Sequence, residues 1–102
     1  MNRYGITDEM RNTFLPTIKQ FIEKVENRED KLEYIELDFT NKGISPYQIW
    51  GLLEELGYES RWKGDNGWQL DFWWDFNKEG CTTIKMFGTG IMFEVKIYVG
   101  DE

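Results

Sequence analysis

Two aspartates four residues apart, Asp71 and Asp75, stand inside the aromatic run WQLDFWWDF at 68–76. A carboxylate pair is the main acid–base device open to this chain. It contains no histidine, the usual base and metal ligand near neutral pH. On a strand, four residues span ~13 Å, whereas glycosidase carboxylates stand ~5–5.5 or ~6.5–9.5 Å apart. Glu94 is a second potential partner for Asp75, with Lys85 expected between the strands to engage it. Ser–His and Cys–His nucleophile pairs cannot be built without histidine. Cys81 is the single cysteine. It cannot close an internal disulfide, and only a stabilised thiolate would make it reactive, so an inert thiol is expected. GDNGWQLD lacks the D-x-[DN]-x-[DN]-G spacing and closing glutamate of a calcium loop. GTG at 88–90 has the look of a hairpin turn, with no dinucleotide or phosphate-loop fingerprint around it. The expectation is a non-enzyme with no cofactor and no metal.

The rings are the other resource. Five Trp, five Tyr and seven Phe stand in 102 residues, and each large ring removes ~150–250 Å² from water when buried. A chain of this length forms one domain, 1–102. Net charge is −7 and the pI is near 4.6. Phosphate neutralisation by Lys and Arg dominates nucleic-acid affinity, so direct nucleic-acid binding is disfavoured. A basic protein partner, or mimicry of nucleic acid, is compatible with this balance. No apolar run approaches the ~20 residues that span a bilayer, and MNRYGITDEM does not read as a signal peptide; a cytoplasmic protein is expected. The absence of alanine and histidine is a faint hint of a phage or mobile-element source.

The elements that position these residues can be read from local signals. Thr7 caps a first helix with Asp8 and Glu9 in its first turn. Met10, Phe14, Ile18, Phe21, Ile22 and Val25 recur at helical spacing. Pro16 predicts a kink, or two helices meeting near 13–16. KLEYIELDFT (31–40) alternates, with Ile35, Leu37 and Phe39 on one face and Tyr34, Glu36, Asp38 and Thr40 on the other. SPYQ (45–48) is a capping box with Pro at the first helical position. Ile49, Leu52, Leu53 and Leu56 form that helix's buried stripe, and Gly57 stops it.

From Tyr58 the pattern is β to the end. GDNG (64–67) and NKEG (77–80) suit three-residue hairpin loops, and Thr89-Gly90 a two-residue turn. These turns oppose Trp74 to Ile84, Phe72 to Met86, Leu70 to Trp62, Ile84 to Val95 and Met86 to Phe93. Opposed residues share a face, so that face is apolar and the helices must cover it, with Trp62, Trp68 and Trp74 in the core. On the other face Arg61 would oppose Asp71, Trp73 would oppose Lys85, and Lys85 would oppose Glu94. Thr83 would lie between Asp75 and Lys96. The predicted fold is α+β: a two-layer sandwich with two helices on one face of a mostly antiparallel sheet of about five strands. A meander over 58–99 is joined by a strand at 32–40, placed by default at an edge.

That parity leaves Trp73, Phe87, Met92, Tyr98, Tyr34 and Cys81 on the open face, with Asp71 and Asp75 beside Trp73. Exposed apolar patches mark binding sites, and Trp and Tyr are favoured as hot spots. A second patch lies on the second helix, where Tyr47 and Gly51 point outward and Trp50 sits at the boundary. An exposed helical glycine costs ~1 kcal/mol against alanine and could admit a partner's backbone. The expected function is a small acidic protein-binding module, an adaptor or inhibitor, with homodimerisation possible. One alternative is an acidic nucleic-acid mimic blocking a basic groove. Another is a carbohydrate or small-ligand binder using exposed Trp and Tyr, although an open sheet lacks the concavity such sites prefer.

Overall fold

The computed structural model describes residues 4–66, 71–90 and 94–100. Helix α1 (Asp8–Glu26) begins where Thr7 accepts a hydrogen bond from the Met10 amide at 3.1 Å. It is one helix, not two: Pro16 lies inside it. Arg28, buried at the far end, donates from Nε to the Val25 carbonyl and from a terminal nitrogen to that of Glu33. It thereby links the last turn of α1, whose carbonyls lack intrahelical partners, to the loop that follows. Helix α2 (Pro46–Glu55) starts with the capping box of Ser45 and Gln48. Beyond its end, Gly57 takes φ +95°, and Lys78 donates to the Leu56 carbonyl at 2.9 Å. Arg11 bonds Glu55 at 2.8 Å, tying the helices together.

Five strands form one antiparallel sheet: β1 (Ile35–Asp38), β2 (Glu59–Asn66), β3 (Asp71–Asn77), β4 (Ile84–Thr89) and β5 (Val95–Val99). Their order across the sheet is β1-β5-β4-β3-β2. The first strand, shorter than 32–40, therefore pairs at the free edge of the meander. Ile18, Phe21 and Val25 of α1, with Ile49, Leu52 and Leu53 of α2, pack against Trp74, Phe76, Ile84, Met86, Val95, Ile97 and Val99. Both helices cover this one face, and the other is left open.

The pairing partners differ from the expected ones. Trp74 opposes Met86, Trp62 opposes Trp74, and Met86 opposes Ile97. Two of the expected turns are wholly or partly strand. Residues 64–66 belong to β2, and Thr89 belongs to β4, donating to the Glu94 carbonyl. Between β3 and β4 the chain leaves the sheet for residues 78–83. There Gly80 has the left-handed conformation that the turn signal required, but Glu26 at the end of α1 accepts from the Thr82 amide at 2.8 Å. That tertiary bond draws three further residues out of the ladder. The displacements in β3–β4 and β4–β5 are even numbers of residues, so every side chain keeps its expected face.

Two placements fail. Cys81 is in this connection beside Tyr58 and Glu26, not on the open face. Trp62 is on the helix side but half exposed, at 50%, because β2 is the sheet edge and has a neighbour on one side only. Trp68, Leu70 and Phe93 lie outside the described residues.

Burial beside Cys81 and Glu26 pushes the Tyr58 hydroxyl from 10.0 up to about 12. A raised acid pKa means that the folded state favours the neutral phenol. The associated stability is complete below pH 10 and is lost as the pH rises through 12. Urea unfolding across that window should show a steep loss in the wild type and a shallower one in Tyr58→Phe.

Candidate functional site

The open face is built from two transverse rows of side chains. In one, Arg61, Asp75, Lys85, Tyr98 and Glu36 follow one another across all five strands. In the next, Gly64, Trp73, Phe87, Lys96 and Asp38 do the same. Trp73 and Phe87 are directly opposed, with ring centroids 5.4 Å apart. Beyond Trp73, the opposed Gly64 has nothing within 4 Å of where a Cβ would stand.

Lys96 organises the β1–β5 side. Its ammonium bonds the Tyr34 hydroxyl at 2.9 Å and pairs with Glu36 at 3.6 Å. It also lies 5.5 and 5.3 Å from the ring centres of Tyr34 and Tyr98, whose own centroids are 5.9 Å apart. On the other side, a β-bulge between Trp62 and Gly64 inserts Lys63 as an extra residue. Bulges re-aim side chains, and here Lys63 reaches Asp75 at 3.9 Å. Lys63, Trp73, Asp75, Lys85 and Tyr98 line a shallow depression of about 330 Å³.

The structure thus brings Trp73, Phe87, Tyr98, Tyr34 and Asp75 together on one face. Asp71 lies on the same face one row further on, opposite Asn66 and Thr89. Met92 lies outside the described residues. The sequence reading places Arg61, Lys85 and Lys96 on this face, and they are there. Lys63 and Lys96 are threaded among the rings, so this face alternates in charge. Alternation places Lys96 on this face and puts Lys63 there with Arg61; the bulge, which no local residue pattern announced, brings Gly64 opposite Trp73.

The helix patch requires a correction. Gly51 is buried, not outward-facing. A Cβ there would fall 2.5 Å from Ile6 Cδ1 and 2.6 Å from Tyr4 Cδ2. The chain's own residues 4–6 occupy the space expected to receive a partner. The Tyr4 ring stacks on Trp50 at 6.2 Å, its hydroxyl reaches Glu54, and Gln48 holds the Gly5 carbonyl. Trp50 is half-buried, and its Nε1 is buried with no acceptor among the described residues. Tyr47 alone of that patch stands well out, 57% exposed.

A second concavity, about 620 Å³, opens at one end of the sandwich between the starts of α1 and α2 and the adjoining ends of β3 and β4. Among the described residues, no group of three acidic or thiol side chains is placed to hold a metal. No described helix is long and apolar enough to cross a membrane. Comparison with protein-family models, with curated proteins and with solved structures found no match.

Gly51→Ala should lower stability by about 1–3 kcal/mol through overpacking, although alanine is the better helix former by ~1 kcal/mol. Thermal melts check the sign. A stabilised Gly51→Ala would mean that residues 4–6 do not cover α2.

Proposed function

We propose that this chain is a non-enzymatic protein-binding module, an adaptor or inhibitor, whose contact surface is the open sheet face centred on Trp73, Phe87 and Tyr98. The observation that carries this reading is the pair of rows described above. Half-buried rings are held in fixed cross-strand contacts on the one face that the helices do not cover. Rings anchored in this way lose little freedom on binding, which is why Trp and Tyr serve as interface anchors. Paired charges between them, Lys63 with Asp75 and Lys96 with Glu36, fix orientation more than they add affinity.

The acidic excess of the chain as a whole steers a basic partner at a distance, and screening by salt weakens that component alone. Mimicry of nucleic acid is less well supported on this face, because its carboxylates alternate with lysines. A cytoplasmic setting suits the single thiol, and inhibition of a host protein is the form the role takes if the chain comes from a phage or mobile element.

Immobilised wild type, Trp73→Ala and Trp62→Ala, offered the same cell extract, provide the test. Expected is a partner retained by wild type and Trp62→Ala in about 0.5 M salt. Trp73→Ala should lose it about 30-fold or more, as for a hot-spot residue. A partner held equally by all three proteins would remove the open face from consideration.

A further inference from the structure

The cleft at the end of the sandwich is separate from the open sheet face, and the proposed protein contact makes no use of it. Its volume of about 620 Å³ falls within the ~300–1,000 Å³ typical of small-molecule sites. No charged side chain lines it among the described residues. The walls are Met10, Ile44, Pro46, Tyr47 and Phe72, with Asn41, Ser45, Gln48 and Thr89 as uncharged polar residues.

From these walls we infer that the cleft binds a neutral, planar aromatic molecule of about two fused rings. Three features select that class. An ion entering the cleft would lose hydration with no counter-charge among the described residues to replace it, in a protein already at −7. Two rings, Tyr47 and Phe72, form part of the lining, and aromatic pairs prefer offset or edge-on contacts that a flat guest can adopt. The thioether of Met10 adds a polarizable contact suited to ring edges.

The site is also held in place. Phe72 packs edge-on to Trp74 at 4.6 Å, and Tyr47 packs on Trp50 and Trp74 at 6.0 and 6.3 Å. Gln48, at the start of α2, is fixed by the capping box and by its bond to Gly5. Ligand contact with Tyr47 or Phe72 is therefore one ring away from Trp74.

The probe is 1-naphthylmethanol, titrated into the full chain and followed by amide chemical shifts, with 1-naphthoate as its anionic counterpart. Expected are saturable shifts at Gly43, Ile44 and Gln48 below about 1 mM, with naphthoate weaker by about ten-fold or more. Met10→Trp, which fills the cleft, should weaken the alcohol by about ten-fold or more. Tyr47→Ala, at an exposed position, should weaken it in the same direction while its amide spectrum remains that of the folded protein, so the test stands even if Met10→Trp folds poorly. Absent saturation, shifts confined to other surfaces, equal binding of naphthoate, or indifference to both variants would each overturn the inference. Trp73→Ala should leave the titration unaltered, which separates this site from the open face.

Discussion

One indole joins the two layers of this protein. Trp74, only 5% exposed, has Phe72, Trp62, Trp50 and Tyr47 around it at centroid distances of 4.6, 5.0, 5.2 and 6.3 Å. Such ring pairs contribute ~0.5–1.5 kcal/mol each beyond the area they bury. The cluster sets α2 above the β2–β3 side of the sheet, while α1 takes the β1 side. With both helices drawn to the same face, the opposite face has no covering element among the described residues. The bare surface is thus a consequence of where the core aromatics point, and the alternation of a strand does the rest. Trp73 must face away because Trp74 faces in.

The same cluster carries a group unsatisfied among the described residues, the Trp50 Nε1 proton donor. An unpaired buried donor costs about 1–3 kcal/mol. Contact of that ring with Tyr4, Tyr47, Trp74 and Phe76 offsets the loss by packing. Segment 4–6 belongs to this arrangement as well. It closes over Gly51 and leaves Tyr47 as the exposed ring at the mouth of the end cleft. Core, cleft and open face are three outcomes of one aromatic arrangement.

How much of this was legible in the sequence depends on the range of the interaction. The caps at Thr7 and Ser45 and the stop at Gly57 are local hydrogen-bonding and backbone signals, and the structure has all three. Face assignment from alternation also held within β3, β4 and β5, whose pairings slid by even numbers of residues. Which residues face each other was not legible. The β3–β4 connection is lengthened by a bond from Thr82 to Glu26, 56 residues away in sequence. The bulge at Lys63 and the edge exposure of Trp62 depend on β2 lying outermost, which its own residues do not state. Gly51 misled for the same reason: the groups that need its missing side chain, Tyr4 and Ile6, are about 45 positions earlier, and nothing near Gly51 points to them.

The neighbouring tryptophans 73 and 74 allow the most direct measurement, the urea-unfolding free energies of Trp73→Ala and Trp74→Ala beside wild type. If Trp74 joins the layers and Trp73 is surplus to the fold, Trp74→Ala should lose about 3–5 kcal/mol. Trp73→Ala should lose no more than about 1.5 kcal/mol, the scale of its ring contact with Phe87. Equal losses, or a larger one at Trp73, would contradict this account and make the open face a second core, not a surface kept for a partner.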